Sequence, residues 1–289
     1  MRIPTPPAAL PPEVVALARE YADGTREPAE PRDAATVLLL GGSGELRTYY
    51  LRRHTAMAFA GGMCVYPGGG VDPRDFDTEV AWAGPPPSEW ARRLGCDGDL
   101  ARALVCAAVR ETFEESGVLL AGSSAGEVVP DTSGDDWEAD RAALESRELA
   151  MTDFLRRRDL VLRTDLLGAW DAWTTPVFEP RRFRTWFFVA RLPEGQRTRD
   201  ISGESDAVAW LAPLDAVARA DRGEIMLMPP TYLTSLEVGE HAGADEVLEA
   251  ARERTVAMHT PSLEPRGEEW VLSTPPHLVP VLERHLETR

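Results

Sequence analysis

Arg110-Glu111-Thr112-Phe113-Glu114-Glu115-Ser116-Gly117-Val118 sets three glutamates and one arginine just ahead of a glycine. At 100° per residue, Glu111, Glu114 and Glu115 fall within about a third of a helix circumference. Val105, Cys106, Val109 and Phe113 fall on the opposite side. The spacing predicts a helix over 100–116, stopped by Gly117 in a C-cap position. One face is core and the other presents carboxylates. Arg110 stands four residues before Glu114 and can pair with it. Three acids on one face repel each other unless a cation sits between them. Hard oxygen ligands of this kind suit Mg²⁺ or Mn²⁺, which commonly bridge to substrate phosphates. The plain alternative is a solvated acidic face, since the chain holds 48 acids.

The composition narrows the chemistry. The 289 residues carry a formal net charge of −17, and all 31 cations are arginine. Lysine and asparagine are absent, Gln196 is the sole glutamine, and isoleucine occurs only at Ile3, Ile201 and Ile225, a bias expected of GC-rich codons. Without lysine there is no Walker P-loop, no kinase phosphate-binding lysine and no pyridoxal Schiff base. The negative charge argues against a protein that coats nucleic acid or an anionic membrane. The three cysteines, Cys64, Cys96 and Cys106, show no C-x-x-C spacing, so neither a disulfide framework nor a zinc site is indicated. The first residues lack the apolar stretch of a secretory leader. The longest apolar run, Ala35 to Leu40 with its flanks, is far short of a membrane span. The expectation is a soluble cytoplasmic protein, a candidate homodimer, acting on a small-molecule nucleotide and binding neither nucleic acid nor membrane.

Along the chain, residues 1–33 read as an N-terminal arm or linker with a short helix near 13–21. Strands are expected at 35–40, 47–53 and 63–66, the last running into Pro67-Gly68-Gly69-Gly70 as a turn or loop. Residues 76–99 read as an inserted loop with one helical turn around 88–94. Residues 136–158 read as one helix with acids at its start and arginines at its end. Strands follow at 182–192 and 206–211, and helices at 213–222, 230–240, 244–256 and 277–286. The main domain is placed at 34–240, with a helical extension at 241–289 packed on it. The order predicts an α/β fold with a mixed sheet between helices.

The helical segment also matches the second half of the Nudix box, R-E-U-x-E-E-x-G-U with U apolar. In the full box this follows a G-x5-E element after seven residues. Here Gly69 leads through Gly70-Val71-Asp72-Pro73-Arg74 to Asp75, which stands where the box has Glu. Residues 76 to 109, 34 in number, separate Asp75 from Arg110, so an insertion of 27 splits the box. Thr112 replaces the usual apolar residue. Five fixed residues would match by chance in roughly one chain in a few thousand.

From Val37 to about Leu236 the chain resembles the Nudix branch that contains peroxisomal acyl-CoA diphosphatases with a long insertion inside the box. Gly62-Met63-Cys64-Val65-Tyr66-Pro67-Gly68-Gly69 is similar to the G-x-x-x-F-P-G-G that ends the coenzyme-A-associated motif. Arg53-His54 partly fits the R-S pair that opens it, and Ala58 stands where a second Arg is usual. Trp173-Thr174-Thr175-Pro176, the run Arg182–Phe188 and Pro229-Pro230-Thr231 also resemble that branch.

The resemblance implies a Nudix α/β/α sandwich and a metal-dependent hydrolase of a diphosphate linkage, with CoA or acyl-CoA as the leading substrate. It implies Mg²⁺ or Mn²⁺ on Glu111, Glu114 and Glu115, with Arg110 orienting the glutamates. The general base is either Glu111 or Glu204, an acid outside the box and six residues before Trp210. Arg53, Gly68, Gly69 and Arg182 are the expected substrate-binding residues, the glycines because backbone must approach closely. The alternatives are an ADP-ribose or NADH diphosphatase, or a nucleotide-sensing Nudix module that does not cleave.

Overall fold

A computed structural model describes residues 9–42, 44–54, 61–201 and 205–289. Helix α1 (Pro12–Ala22) precedes β1 (Arg32–Gly41), β2 (Arg47–Arg53), β3 (Cys64–Val65) and β4 (Gly68–Gly70). A 3₁₀ turn at Pro73–Phe76 leads to β5 (Trp82–Ala83), α2 (Pro87–Leu94) and α3 (Gly98–Ser116). Then come β6 (Ala121–Gly122), α4 (Asp135–Glu145), α5 (Met151–Arg157), β7 (Val161–Arg163), β8 (Leu167–Thr174), β9 (Phe183–Arg191) and β10 (Ser205–Leu211). The chain continues through α6 (Pro213–Asp221), α7 (Pro229–Val238), α8 (Ala244–Ala251), the hairpin β11 (Leu263–Arg266) and β12 (Glu269–Leu272), and α9 (Val279–Thr288).

The main sheet runs β10-β2-β1-β9-β8, with β3 added to β2 and β4 to β1. Only β1 and β9 pair in parallel within it, so the sheet is mixed. Successive side chains of a strand point to opposite faces, and β1 uses both. Val37 and Leu39 enter a core with Phe113, Phe188 and α2–α5, while Leu38 and Leu40 enter a second with Tyr50, Val189 and α6–α9. Helices therefore cover both faces, which explains why β1 reads as a continuous apolar run. This is the expected α/β/α sandwich. A third cluster packs Val14, Val15 and Ala18 of α1 against Phe178, with Trp270 and Leu272 of the hairpin beside them. No helix among the described residues is long and apolar enough to cross a membrane.

Three local expectations are corrected. Gly68–Gly70 is not a loop but β4, antiparallel to β1 with Ala35 opposite Gly69. A Cβ at Gly68 would stand 2.4 Å from the Ala35 carbonyl oxygen, so the chain there must lack a side chain. The stretch 76–99 is more than a loop with one helical turn. Its β5 pairs with β7, and Trp90 of α2 is fully buried beside Phe188. The helix expected over 136–158 is two helices, interrupted near Arg147, whose φ of 63° is left-handed. Strand β8 went unread, since all eight of its residues are buried and a bulge between Ala169 and Asp171 breaks the alternation.

Candidate active site

The last two turns of α3 supply the charged groups. The helix starts at Asp97, whose carboxylate accepts from the Leu100 N–H, and ends at left-handed Gly117. Its polar face is buried against β4 rather than solvated. Thr112 fits there because its hydroxyl donates to the Ala108 carbonyl at 2.7 Å, which removes the cost of burying it.

Arg110 is the hub. Its guanidinium donates to both oxygens of Asp75, Nε at 3.1 Å and Nη2 at 3.0 Å. It also reaches the Gly70 carbonyl at 3.0 Å, Glu111 at 2.7 Å and Glu114 at 3.1 Å. Asp75 is 1% exposed and is itself aimed by a capping box. The Asp72 N–H donates to Asp75, and Asp72 accepts from the Arg74 N–H. The two halves of the split motif thus meet through one planar, bidentate pair. Glu115 accepts from the Gly68 N–H at 2.7 Å. A Cβ on Gly69 would lie 2.6 Å from the Glu111 carboxylate. Both glycines are needed for β4 to lie this close to α3.

Three carboxylates, of Asp75, Glu111 and Glu114, thus contact one guanidinium, while Glu115 pairs with the Gly68 N–H. Burial and the neighbouring Glu111 push the Glu114 carboxyl up to about 7 despite Arg110. Burial opposes the Arg110 charge, but Glu111, Asp75 and Glu114 outweigh it and hold that pKa above its usual value. Among the described residues no three ligating side chains form a ready-made metal cluster. Arg110 Nη1 stands between Glu111 and Glu114, and Glu115 is turned to Gly68.

These groups line a cavity of about 520 Å³ together with Arg53, Trp173, Arg181, Phe183, Phe187 and the Pro229-Pro230-Thr231 turn at the start of α7. Arg53, Gly68, Gly69, Arg110, Glu111, Glu114 and Glu115 therefore share one wall space. Arg182 is a correction. It does not line the cavity, because its guanidinium is committed to the carbonyls of Ala29 at 2.8 Å and Thr175 at 3.1 Å. Its neighbour Arg181 faces the cavity instead. Glu204 lies outside the described residues. Two features escaped the sequence. Tyr66 and Tyr50 share the Ser235 hydroxyl at 2.6 and 2.9 Å behind the apolar wall, and Glu179 enters the cavity from the β8–β9 loop.

The model of the NUDT19 Nudix domain matches residues 93–236 of this chain. The chain belongs to the Nudix hydrolase superfamily. It is 28% identical over 204 residues to a putative nudix hydrolase 7 of Caenorhabditis elegans, covering 69% of this chain and 57% of that one. It is 27% identical over 252 residues to the acyl-coenzyme A diphosphatase NUDT19 of Gallus gallus, covering 70% and 66%. The Nudix chain described here thus spans less than two thirds of the length of these curated relatives. The crystal structure of a Nudix hydrolase from Alicyclobacillus acidocaldarius shares the fold, with a TM-score of 0.64 and 24% identity over 79% of this chain and 99% of that one.

Proposed function

We propose that this Nudix protein is a divalent-metal-dependent diphosphatase whose substrate is CoA or acyl-CoA. The observation that carries the reading is the cavity lined by Glu111, Glu114 and Glu115, with Arg110 paired to Glu111 and Glu114. The donor set fits a hard divalent cation. Its carboxylate charge exceeds what one guanidinium neutralises. Glu111, Glu114 and Glu115 would hold Mg²⁺ or Mn²⁺, which supplies charge neutralisation on the phosphoryl oxygens and a more acidic water. The resemblance and the branch support CoA, as does arginine in the cavity at Arg53 and Arg181, suited to phosphate.

The chain's own residues then divide the work. Arg110 fixes the carboxylate directions from behind, through Asp75. The glycines of β4 bring backbone close to α3. Glu111 or Glu204 accepts the proton of the attacking water. The products from CoA are 3′,5′-ADP and 4′-phosphopantetheine, or its acyl form.

The test is a Mg²⁺ and Mn²⁺ screen over CoA, acyl-CoA, dephospho-CoA, NADH and ADP-ribose, with products identified by mass. CoA cleaved to 3′,5′-ADP, and dephospho-CoA cleaved more slowly, is expected. Equal rates on CoA and dephospho-CoA would sink the CoA assignment and favour the ADP-ribose or NADH class. No turnover of any compound would leave a nucleotide-sensing module. Glu204→Gln separates the two bases: a fall in kcat of about 10²–10⁴ assigns the role to Glu204, and unchanged kcat assigns it to Glu111.

A further inference from the structure

Glu179 is a buried acid that the chemistry above does not use. It is only 8% exposed, it lines the same cavity as Glu111, Glu114 and Glu115, and its Oε1 takes no hydrogen bond from any described residue. An unsatisfied buried acceptor costs about 1–3 kcal/mol, and a donor on a bound ligand would recover part of that cost. The loop that carries it is firmly held. The Glu179 N–H donates to the Pro176 carbonyl, Phe178 is buried against α1, and Arg182 ties Thr175 to Ala29. The acceptor is fixed before any ligand arrives, which is what recognition at low entropic cost requires.

We propose that Glu179 is a substrate-recognition residue whose carboxylate accepts a hydrogen bond from an N–H or O–H on the part of the substrate that carries no negative charge. A phosphate against Glu179 would be repelled, so the anionic diphosphate belongs at the Arg53 and α3 side. Beside Arg181, the cavity also has apolar walls at Trp173, Phe183, Pro261 and Leu272, which suit an uncharged arm. Two parts of a CoA-like substrate bear such donors, the nucleoside and the amide-bearing pantetheine arm. The proposal rests on the diphosphatase reading for the identity of the substrate.

The experiment compares wild type, Glu179→Gln and Glu179→Ala with saturating Mg²⁺ and CoA. A tenfold or greater rise in KM with kcat kept within threefold is expected in both variants, with Tm unchanged or higher. The Tm readout matters, because removing an unpaired buried acid does not destabilise a protein that never used it. Inhibition by 3′,5′-ADP and by 4′-phosphopantetheine, measured separately, tells which half carries the donor: Ki rises for that half alone. Unchanged KM in both variants overturns the proposal, and so does a fall in Tm with loss of kcat, which marks a structural role. Wild type that cleaves none of the substrates refutes the diphosphatase reading instead. Titration of the same two fragments then decides the inference alone, and equal Kd in wild type and both variants overturns it.

Discussion

Arg110 joins groups from separate places in the chain: Asp75 from the 3₁₀ turn, the Gly70 carbonyl from β4, and Glu111 and Glu114 from its own helix. Replacing it by methionine leaves Asp75 and Glu114 buried without a counter-charge, and such a loss costs about 3–5 kcal/mol. Urea unfolding should show it. Lysine keeps the charge but cannot fork onto both Asp75 oxygens, so Arg110→Lys should fall between the two. The glycines of β4 offer a paired test. Gly69→Ala pushes a methyl to 2.6 Å from the Glu111 carboxylate, whereas a Cβ at Gly70 meets nothing closer than the Asp33 carbonyl at 4.0 Å. Gly69→Ala should lower kcat at least tenfold with an unchanged circular dichroism spectrum, and Gly70→Ala should leave kcat within about twofold. Equal kcat in the two variants would refute the close-approach argument.

At the level of elements, the capping box over Asp72–Asp75 decides where Asp75 points. The hydrogen bond from the Arg74 side chain, acting against partial burial, holds the Asp72 carboxyl down at about 2. An acid depressed in the folded state adds stability above its unfolded value, near 3.8, and loses it as pH falls towards the folded value. Wild type should therefore lose roughly 1–2 kcal/mol between about pH 4 and pH 2 through this group. Asp72→Asn should show a smaller loss over the same window in a denaturant series. The elements that the sequence revealed and those it hid differ physically. α3 was legible because its apolar positions recur at helical spacing and Gly117 closes it. β4 was not, because glycines carry no side chain to alternate. β8 was hidden by a bulge and by burial on both faces, and the break near Arg147 by a left-handed arginine, which no composition signals. In the site, Glu111, Glu114 and Glu115 were legible from spacing. Glu179 was not, because an isolated acid between Phe178 and Pro180 has no pattern. Arg182 misled because one of the carbonyls that hold its guanidinium, that of Ala29, is distant in sequence.

Over the whole molecule, α1 meets the β11–β12 hairpin beside the loop that carries Glu179. The Leu10 N–H donates to the Trp270 carbonyl, and Phe178 lies between α1 and the β11–β12 hairpin. Phe178→Ala should cost about 3 kcal/mol by cavity formation and should raise KM more than it lowers kcat, since the loop it anchors carries Glu179 and Arg181. Steady-state kinetics on folded protein would check the split. The clamp between Asp75 and Arg110 has another consequence, for how such chains diversify. Closing 34 residues instead of seven costs only roughly 1.4 kcal/mol of extra loop entropy. Burying one large side chain such as Trp90 offsets that by about 1.5–3 kcal/mol. The number of residues between the two halves is therefore nearly free to drift, while the carboxylate–guanidinium contact is not. A pattern search with fixed spacing would discard this chain, and a search for an acid that meets the arginine in space would keep it.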